Sequence, residues 1–435
     1  MNGSRLLPLV LLLTACAAVG QAQFVSGRVS TAFYAWEQFD TVGVSQLRLR
    51  AYQTAQLTVA QGDFSLTTFL QGTTNLSGAF GDAGRVRFYN LYLSWLNIGK
   101  VAEAHLGRQS VYAGVGVGSI DGLLARARLF KNTLTVTGFG GAAVGPEFTA
   151  PRSNLADNFF YGGQLVTTVV PCARIGVSYM KRHEERDPYW TIRARDTSFA
   201  PVPFYVEPES PAEELASADA RYTYGEHFSV YGRYDHDILN SRTARAQGGA
   251  RVQLTPQIAV SADYIHRLPR VMYNSIFSAF VSNAVDELEG GVEYGFTPML
   301  RAFGRIASVS YTDEKSTRWT IGLNTGYATV SYAGSDGYAG ELSSLSAQAS
   351  YPLFGKTIVP TAGISYASYR LSKESTRDNA LGVILGAAVR PSTAISIDVQ
   401  GQWLTNKLLQ RDLRLQARFS YWFAQRLSRT NGEGK

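Results

Sequence analysis

The chain has 435 residues, of which 45% are apolar, 12% aromatic and only 17% charged, with a formal net charge of +7. Many aromatics and few charges exclude a disordered chain, and the lack of an apolar run of about 18 residues after the N-terminus excludes a helical membrane protein. Soluble proteins usually carry about 25% charged residues. The composition therefore favours a transmembrane β-barrel, whose strands alternate apolar and polar residues.

The N-terminal segment is predicted to direct export. Arg5 is followed by the apolar residues 6–13 and then by small residues, which is typical of a secretory signal peptide cleaved after Ala22. The sequence around Cys16, Leu-Thr-Ala-Cys, also resembles a bacterial lipobox, which would make Cys16 a lipidated first residue. The alternative is that Cys16 is discarded with the signal, which leaves Cys172 as a single cysteine without a disulfide partner.

From residue 24 to residue 423 the dominant period of hydrophobicity is two, which predicts β-strands. Clear examples are residues 45–52, 245–254 and 412–423, each about ten residues long, which is the length that crosses a bilayer at the usual strand tilt. Short turns recur along the chain, several of them at proline, which ends a ladder because it has no N–H to donate. They are predicted at residues 60–63, 97–100, 131–132, 171–172, 225–226, 256–257, 298–299, 352–356 and 391–392.

Longer polar or glycine-rich connections lie between these turns. They are residues 75–84, 145–157, 184–213, 268–283, 312–316, 335–340, 371–377 and 405–411. Short connections on one side and long ones on the other are typical of outer-membrane barrels, with periplasmic turns and extracellular loops. The fold class predicted is all-β, a closed antiparallel transmembrane barrel of about 22 strands, an even number between 18 and 24. The predicted organisation is a signal peptide (1–22), the barrel (23–423) and a periplasmic C-terminal tail (424–435).

Two segments resemble Gram-negative outer-membrane porin-type barrels. Residues 418–423, Arg-Phe-Ser-Tyr-Trp-Phe, are similar to the C-terminal signal read by the barrel-assembly machinery, although residues 424–435 follow the aromatic. Residues 88–95 and 106–109 resemble strand pairs of porins and porin-like carbohydrate channels. The resemblance covers nearly all of the mature chain, names no subfamily, and implies outer-membrane lipid and the assembly machinery as partners.

Strand parity separates residues that face lipid from residues that face the lumen. With the apolar parity outward, fourteen arginines and seven carboxylates are predicted to line the pore. The basic set is Arg28, Arg48, Arg50, Arg126, Arg128, Arg174, Arg221, Arg233, Arg245, Arg251, Arg301, Arg305, Arg414 and Arg418. The acidic set is Asp219, Asp235, Asp263, Glu287, Glu289, Glu293 and Asp398.

The placement of these charges suggests two opposed walls. Barrel closure pairs the last strand with the first, which brings Arg414 and Arg418 next to the arginines of the first two strands, while Asp263 and the glutamates of residues 287–293 lie across the lumen. Such walls would create a transverse field that favours anions slightly. The alternative is that the charges pair along neighbouring strands and only keep the lumen wet.

Any constriction is expected to come from side chains or an infolded loop, because strand-like sequence begins at Phe24 and leaves no room for an N-terminal plug. Residues 268–283 are the best candidate for infolding, since they are too apolar for an exposed loop; the alternative is that they extend the flanking strands. Residues 184–213 are predicted to form a surface loop or lid. The sequence leaves open whether either segment plugs the lumen.

Motifs for catalysis or metal binding are weak. The five histidines are scattered, and the string Tyr234-Asp235-His236-Asp237 places neighbours on opposite faces of a strand. Asp121-Gly122 and Asp336-Gly337 are interpreted as turn signals, and the glycine-rich residues 113–118 lack the helix and lysine of a phosphate loop. No catalytic residue, cofactor, metal or nucleic-acid partner is predicted.

The sequence is thus interpreted as an outer-membrane, porin-like channel for passive diffusion of small hydrophilic solutes, with a weak anion preference and no energy coupling. The alternative is a structural or surface-binding barrel with a closed lumen, and the least favoured reading is an outer-membrane hydrolase. The solute and the oligomeric state stay open.

Overall fold

The fold is known from a computed structural model that describes residues 24–41, 44–77, 84–145, 148, 155–185, 188–194, 201–207, 212–269, 283–312, 314–338, 340–372, 374–409 and 411–426. The predicted signal peptide, Cys16, most of the predicted infolding segment 268–283 and residues 427–435 lie outside these ranges. No helix in the described ranges is long and apolar enough to cross a bilayer.

Nearly all described residues belong to strands, joined by short connections and one 3-10 turn (Phe354–Lys356). The strands are β1 (Phe24–Thr41), β2 (Val44–Gln61), β3 (Phe64–Asn75), β4 (Arg85–Ile98), β5 (Ala102–Ala113), β6 (Gly116–Leu129), β7 (Leu134–Ala143), β8 (Asn158–Thr167), β9 (Ala173–Glu184), β10 (Tyr189–Ala194), β11 (Pro201–Val206), β12 (Ala212–Tyr224), β13 (Phe228–Asp237), β14 (Arg242–Gln253), β15 (Ile258–Arg267), β16 (Val285–Thr297), β17 (Leu300–Tyr311), β18 (Glu314–Thr325), β19 (Ala328–Gly337), β20 (Glu341–Ser350), β21 (Ile358–Arg370), β22 (Asp378–Ser392), β23 (Ile395–Thr405) and β24 (Asp412–Arg426).

Twenty-two of these strands form one closed antiparallel barrel. Each barrel strand pairs with its neighbour in sequence, except that β9 pairs with β12 because β10 and β11 form a separate hairpin between them. Closure is made by β1 and β24, whose register runs from Phe24 opposite Arg426 to Trp36 opposite Arg414. Because a closed sheet has no edge, its backbone groups are satisfied within the barrel, as a strand-built membrane span requires. The predicted fold class and strand number are confirmed.

The two ends of the barrel differ, as the sequence predicts. One end, called the turn end, carries short connections such as Gly62–Asp63, where Gly62 has a φ of 58°. The other, called the loop end, carries the long connections. Both β1 and β24 have their free ends at the turn end. Several boundaries differ from expectation: β22, for example, runs through the predicted turn at 391–392 and turns at residues 393–394, and β24 continues to Arg426, three residues beyond the predicted 423.

The register divides the strands into two faces. Directly paired residues share a face, so the face that contains Arg28 can be followed strand by strand around the whole barrel. The opposite face carries large exposed apolar side chains, such as Leu47, Leu106 and Ile306, each at least 60% exposed. Contacts between strands that are not neighbours, such as the bond from the β5–β6 connection to Ser178 on β9, lie on the first face. The first face is therefore lumenal, and the apolar face is directed outward.

A candidate channel lumen

The first lumenal region is a wall of interlocked charges on β14–β18, here called the paired wall. Arg251 and Arg301 lie 2.9 and 3.6 Å from Glu293, and Arg305 lies 3.6 Å from Glu289. Arg318 bonds to Glu287 and lies 3.2 Å from Glu289. The four arginine side chains are 42–60% exposed, whereas their carboxylate partners are 17–21% exposed. A solute beside this wall thus meets guanidinium groups that cover the carboxylates.

Other acids predicted to be lumenal also bind polar or basic side chains of nearby strands. Asp263 accepts a hydrogen bond of 2.8 Å from the Tyr231 hydroxyl, which in turn accepts one from Gln247. On β12, Asp219 is bonded to Arg174 of β9. These contacts favour the alternative from the sequence, in which charges pair along neighbouring strands, over an acidic wall that acts across the lumen. Arg318, which lies on β18 directly opposite Ala307, is absent from the basic set predicted from the sequence.

The closing strands also hold ion pairs. Arg414 is 2.6 Å from Asp412, whose side chain is only 3% exposed, and Arg418 is 3.5 Å from Asp398. The register sets Arg418 opposite Ala32 and Arg414 opposite Trp36, on the same face as Arg28. Both are therefore partly neutralised by carboxylates on their own or an adjacent strand.

The second lumenal region, here called the arginine wall, is made by β1–β4. Its lumenal positions from Ser26 to Trp36 on β1, 48 to 60 on β2, 65 to 73 on β3 and 85 to 94 on β4 contain no carboxylate. They do contain five arginines, which are Arg28, Arg48, Arg50, Arg85 and Arg87. Arg50 lies over the Trp36 ring at 5.6 Å, a cation–π contact that leaves the positive charge uncompensated. Among the described residues, Arg28, Arg50 and Arg87 form no ion pair, so this wall keeps an excess of positive charge at these three positions.

The lumen is narrowed by the tip of the β5–β6 hairpin, which folds inward. Its connection reaches Ser178 on β9, whose hydroxyl accepts a 2.9 Å hydrogen bond from the Val115 N–H. Val111, Ala113 and Val115 are at most 3% exposed. They belong to a buried apolar cluster inside the barrel that also contains Ile120, Leu124, Phe139, Ala143, Phe160, Met180, Leu215 and Ala244. The infolded segment is thus a strand hairpin.

Glycines permit this bend. Gly107 has a φ of 127° and lies opposite Gly122, which lies opposite Gly141, so three adjacent strands have glycine in one row. A Cβ at any of them would come within 2.6 Å of a neighbouring backbone atom. The interpretation of Asp121-Gly122 as a turn was therefore wrong: the pair lies inside β6, where Gly122 allows the strands to fold closely.

Where β5 turns inward it leaves β4. The register of β4 with β5 ends at Leu91 opposite Arg108, so residues 85–90 have no β5 partner. The Phe88 carbonyl accepts a hydrogen bond from Arg108, and the Phe88 N–H donates one to the carbonyl of Phe148 in the β7–β8 connection. Arg108 also forms two hydrogen bonds of 2.7 Å with Asp121. The Arg108–Asp121 ion pair and the β7–β8 connection thus take the place of β5 beside residues 85–90 of β4, where the β4–β5 pairing ends.

The hairpin also changes which residues face the open lumen. Its lumenal-parity side chains pack against β7–β9, so the opposite side of the tip looks into the barrel interior. Tyr112 and Val117 occupy that side and are 74% and 55% exposed. Parity alone assigns both to lipid. The feature of the sequence that could have predicted the inward hairpin is the glycine-rich run 113–118. Its alternate glycines pack closely on aromatic rings, Gly116 on Phe139 and Gly118 on Phe160.

The Asp235-His236-Asp237 string does not form a joint site. Asp235 is buried and bonded to Ser217 and Arg233, Asp237 is bonded to Asn240 and Arg242, and the ring of His236 stacks on Tyr234 instead. Within the described ranges no three histidine, cysteine or acidic side chains come together as a metal site would require.

The predicted lid, residues 184–213, contains the β10–β11 hairpin, whose Trp190 and Ile192 are 70% and 72% exposed. Its side chains contact one another, as in the Trp190–Tyr205 ring pair, whose centroids are 5.1 Å apart. The infolding predicted for 268–283 falls mostly outside the described ranges.

No protein-family model matches the chain, and no curated protein matches it in sequence. Among solved structures it is similar to the P pilus usher (PapC) translocation pore, with 8% identity, a TM-score of 0.45 and coverage of 93% of this chain and 100% of that chain. It is also similar to Pseudomonas aeruginosa OpdQ (12% identity, TM-score 0.41, coverage of 92% of this chain and 98% of that chain) and to a BenF-like porin from Pseudomonas fluorescens Pf-5 (9%, 0.42, 92% and 99%).

Proposed function

We propose that the chain is an outer-membrane channel that conducts small hydrophilic solutes by passive diffusion and prefers anions weakly. The observation that carries the anion preference is the arginine wall, where Arg28, Arg50 and Arg87 face the lumen and none of them forms an ion pair with a described carboxylate. One uncompensated charge about 4 Å from a monovalent anion contributes about 1 kcal/mol in water, or about fivefold in local concentration. Salt weakens this attraction, so the preference is modest.

In the proposed mechanism the two lumenal walls have different tasks. The hairpin tip occupies the lumen beside β7–β9, and no member of its apolar cluster comes from the described parts of β1–β4. Solutes therefore pass along the arginine wall, with Tyr112 on the other side of the path. The paired wall hydrates the lumen, since its arginines point into water while their carboxylates are covered. No step requires a cofactor or an energy source.

Export and insertion complete the proposal. Residues 1–22 would be removed as a signal peptide, the barrel-assembly machinery would insert the barrel, and its outward face of residues such as Leu47 and Ile306 would contact outer-membrane lipid. The predicted periplasmic tail would then begin after Arg426, where β24 ends, and not at residue 424. Mass spectrometry of the mature N-terminus distinguishes cleavage after Ala22 from lipidation of Cys16.

Conduction is tested with the purified protein in planar lipid bilayers. Stepwise single-channel currents are expected, and a reversal potential under a KCl gradient should indicate chloride preference. Absence of steps would instead support the second candidate, a surface-binding barrel with a closed lumen, for which the exposed β10–β11 hairpin is the supporting observation. Clear potassium preference would refute the basic-lumen mechanism.

A further inference from the structure

A cavity of about 650 Å³ lies on the arginine wall near the turn end. Its floor is a row of five directly paired residues, one from each of five adjacent strands. In order from β24 to β4 they are Trp422, Arg28, Gln56, Phe69 and Asn90. Adjacent strands are about 4.8 Å apart, so the backbones of Arg28 and Asn90 are about 14 Å apart along this row.

Two polar side chains of this row, Arg28 and Asn90, each contain an atom without a hydrogen-bond partner among the described residues. Arg28 Nε and Asn90 Oδ1 are covered by surrounding atoms, yet neither has a hydrogen-bond partner among the described residues. No described carboxylate lies within ion-pair distance of the Arg28 guanidinium, in contrast to Arg418 on the neighbouring strand, which pairs with Asp398. Since these two atoms are covered, a ligand in the cavity would contact the other polar atoms of the same side chains, the terminal nitrogens of Arg28 and the amide nitrogen of Asn90.

The rest of the cavity offers flat apolar surface beside hydroxyl groups. Phe69 is stacked on Tyr89 with ring centroids 4.9 Å apart, so its ring is held in place. Thr58 and Thr67, whose hydroxyls are 3.4 Å apart, form the adjacent paired row. Aromatic faces pack against the C–H groups of a ligand, while threonine, glutamine and asparagine exchange hydrogen bonds with its hydroxyls.

We propose that this cavity is a binding site for a small hydroxylated carboxylate. The carboxylate would pair with the planar fork of Arg28, which matches two carboxylate oxygens. The hydroxyl groups would lie over Gln56 and Phe69, and the far one would reach the Asn90 amide. The inference deepens the proposed function, because it names the class of solute that a channel of this kind would retain on its way along the arginine wall.

The test uses D-gluconate as the probe, with butyrate as a carboxylate that lacks hydroxyls and sorbitol as a polyol that lacks charge. Binding to the full-length protein in detergent is measured by isothermal titration calorimetry, which does not require conduction. Gluconate is expected to bind at least tenfold more tightly than either control. Arg28→Gln should lower gluconate affinity about tenfold or more, and Asn90→Leu about threefold while leaving butyrate affinity unchanged.

Arg221→Gln is the matched control, because Arg221 is an exposed lumenal arginine on β12, outside the cavity. It should change gluconate affinity less than twofold. Equal losses for Arg28→Gln and Arg221→Gln, or equal affinities for gluconate and butyrate, would overturn the site and leave only a general attraction of anions. Should Arg28→Gln fail to fold, Arg28→Lys keeps the charge without the fork, and an unchanged affinity in that variant also overturns it.

The outcomes separate this inference from the proposed function. Arg28-dependent binding in a protein without single-channel currents would refute the channel and retain the site. Normal, chloride-selective currents in a protein that does not bind gluconate would retain the channel and refute the site.

Discussion

The paired wall on β14–β18 and the arginine wall on β1–β4 contain similar numbers of arginines but differ in what those arginines do. Arg251, Arg301, Arg305 and Arg318 each lie within 3.6 Å of a glutamate. No carboxylate occupies the described lumenal positions of the arginine wall. The number of arginines in a lumen therefore does not determine its selectivity, which depends on the carboxylates within reach of each guanidinium.

Removing charge from the arginine wall should have the largest effect on selectivity. The triple variant Arg28→Gln, Arg50→Gln, Arg87→Gln deletes three positive charges that have no ion-pair partner among the described residues. Chloride-to-potassium permeability from reversal potentials should fall from severalfold to about one at 0.1 M salt, where the screening length is about 10 Å. An unchanged ratio would show that the selectivity arises elsewhere.

Removing the acids of the paired wall should shift selectivity in the opposite direction. Glu287→Gln, Glu289→Gln and Glu293→Gln together free four arginines from their partners. The same reversal-potential measurement should show chloride preference rising by about two- to threefold. If it falls instead, the carboxylates do not neutralise these arginines, and the difference between the two walls disappears.

A single substitution sharpens the comparison further. Arg318→Gln uncovers Glu287, whose only ion-pair partner among the described residues is Arg318. Chloride preference should drop by less than twofold. The matched change on the arginine wall, Arg50→Gln, also removes one positive charge and should lower the preference by more than Arg318→Gln, because in the proposed mechanism solutes pass along the arginine wall.

Sequence parity was enough to predict the barrel and its 22 strands, because alternation of apolar and polar residues with period two is the pattern of a strand with two different faces. It could not predict ion pairing, which depends on the register between strands and on side-chain reach. Parity also failed at Tyr112, because β5 leaves the barrel wall at Gly107. Such a bend turns the outward-parity side chains of the strand toward the lumen without changing the alternation of apolar and polar residues in the sequence.

The smallest expected effect concerns this inward hairpin, which narrows the lumen away from the arginine wall. Tyr112 is 74% exposed and supports none of the buried cluster, so Tyr112→Ala should leave the fold intact while widening the path. Single-channel conductance should rise by tens of per cent, with the permeability ratio unchanged because no charge is altered. Leu106→Ala, on the outward face of the same strand, is the control and should not change conductance. Equal conductance for both variants would mean that solutes do not pass beside the hairpin tip.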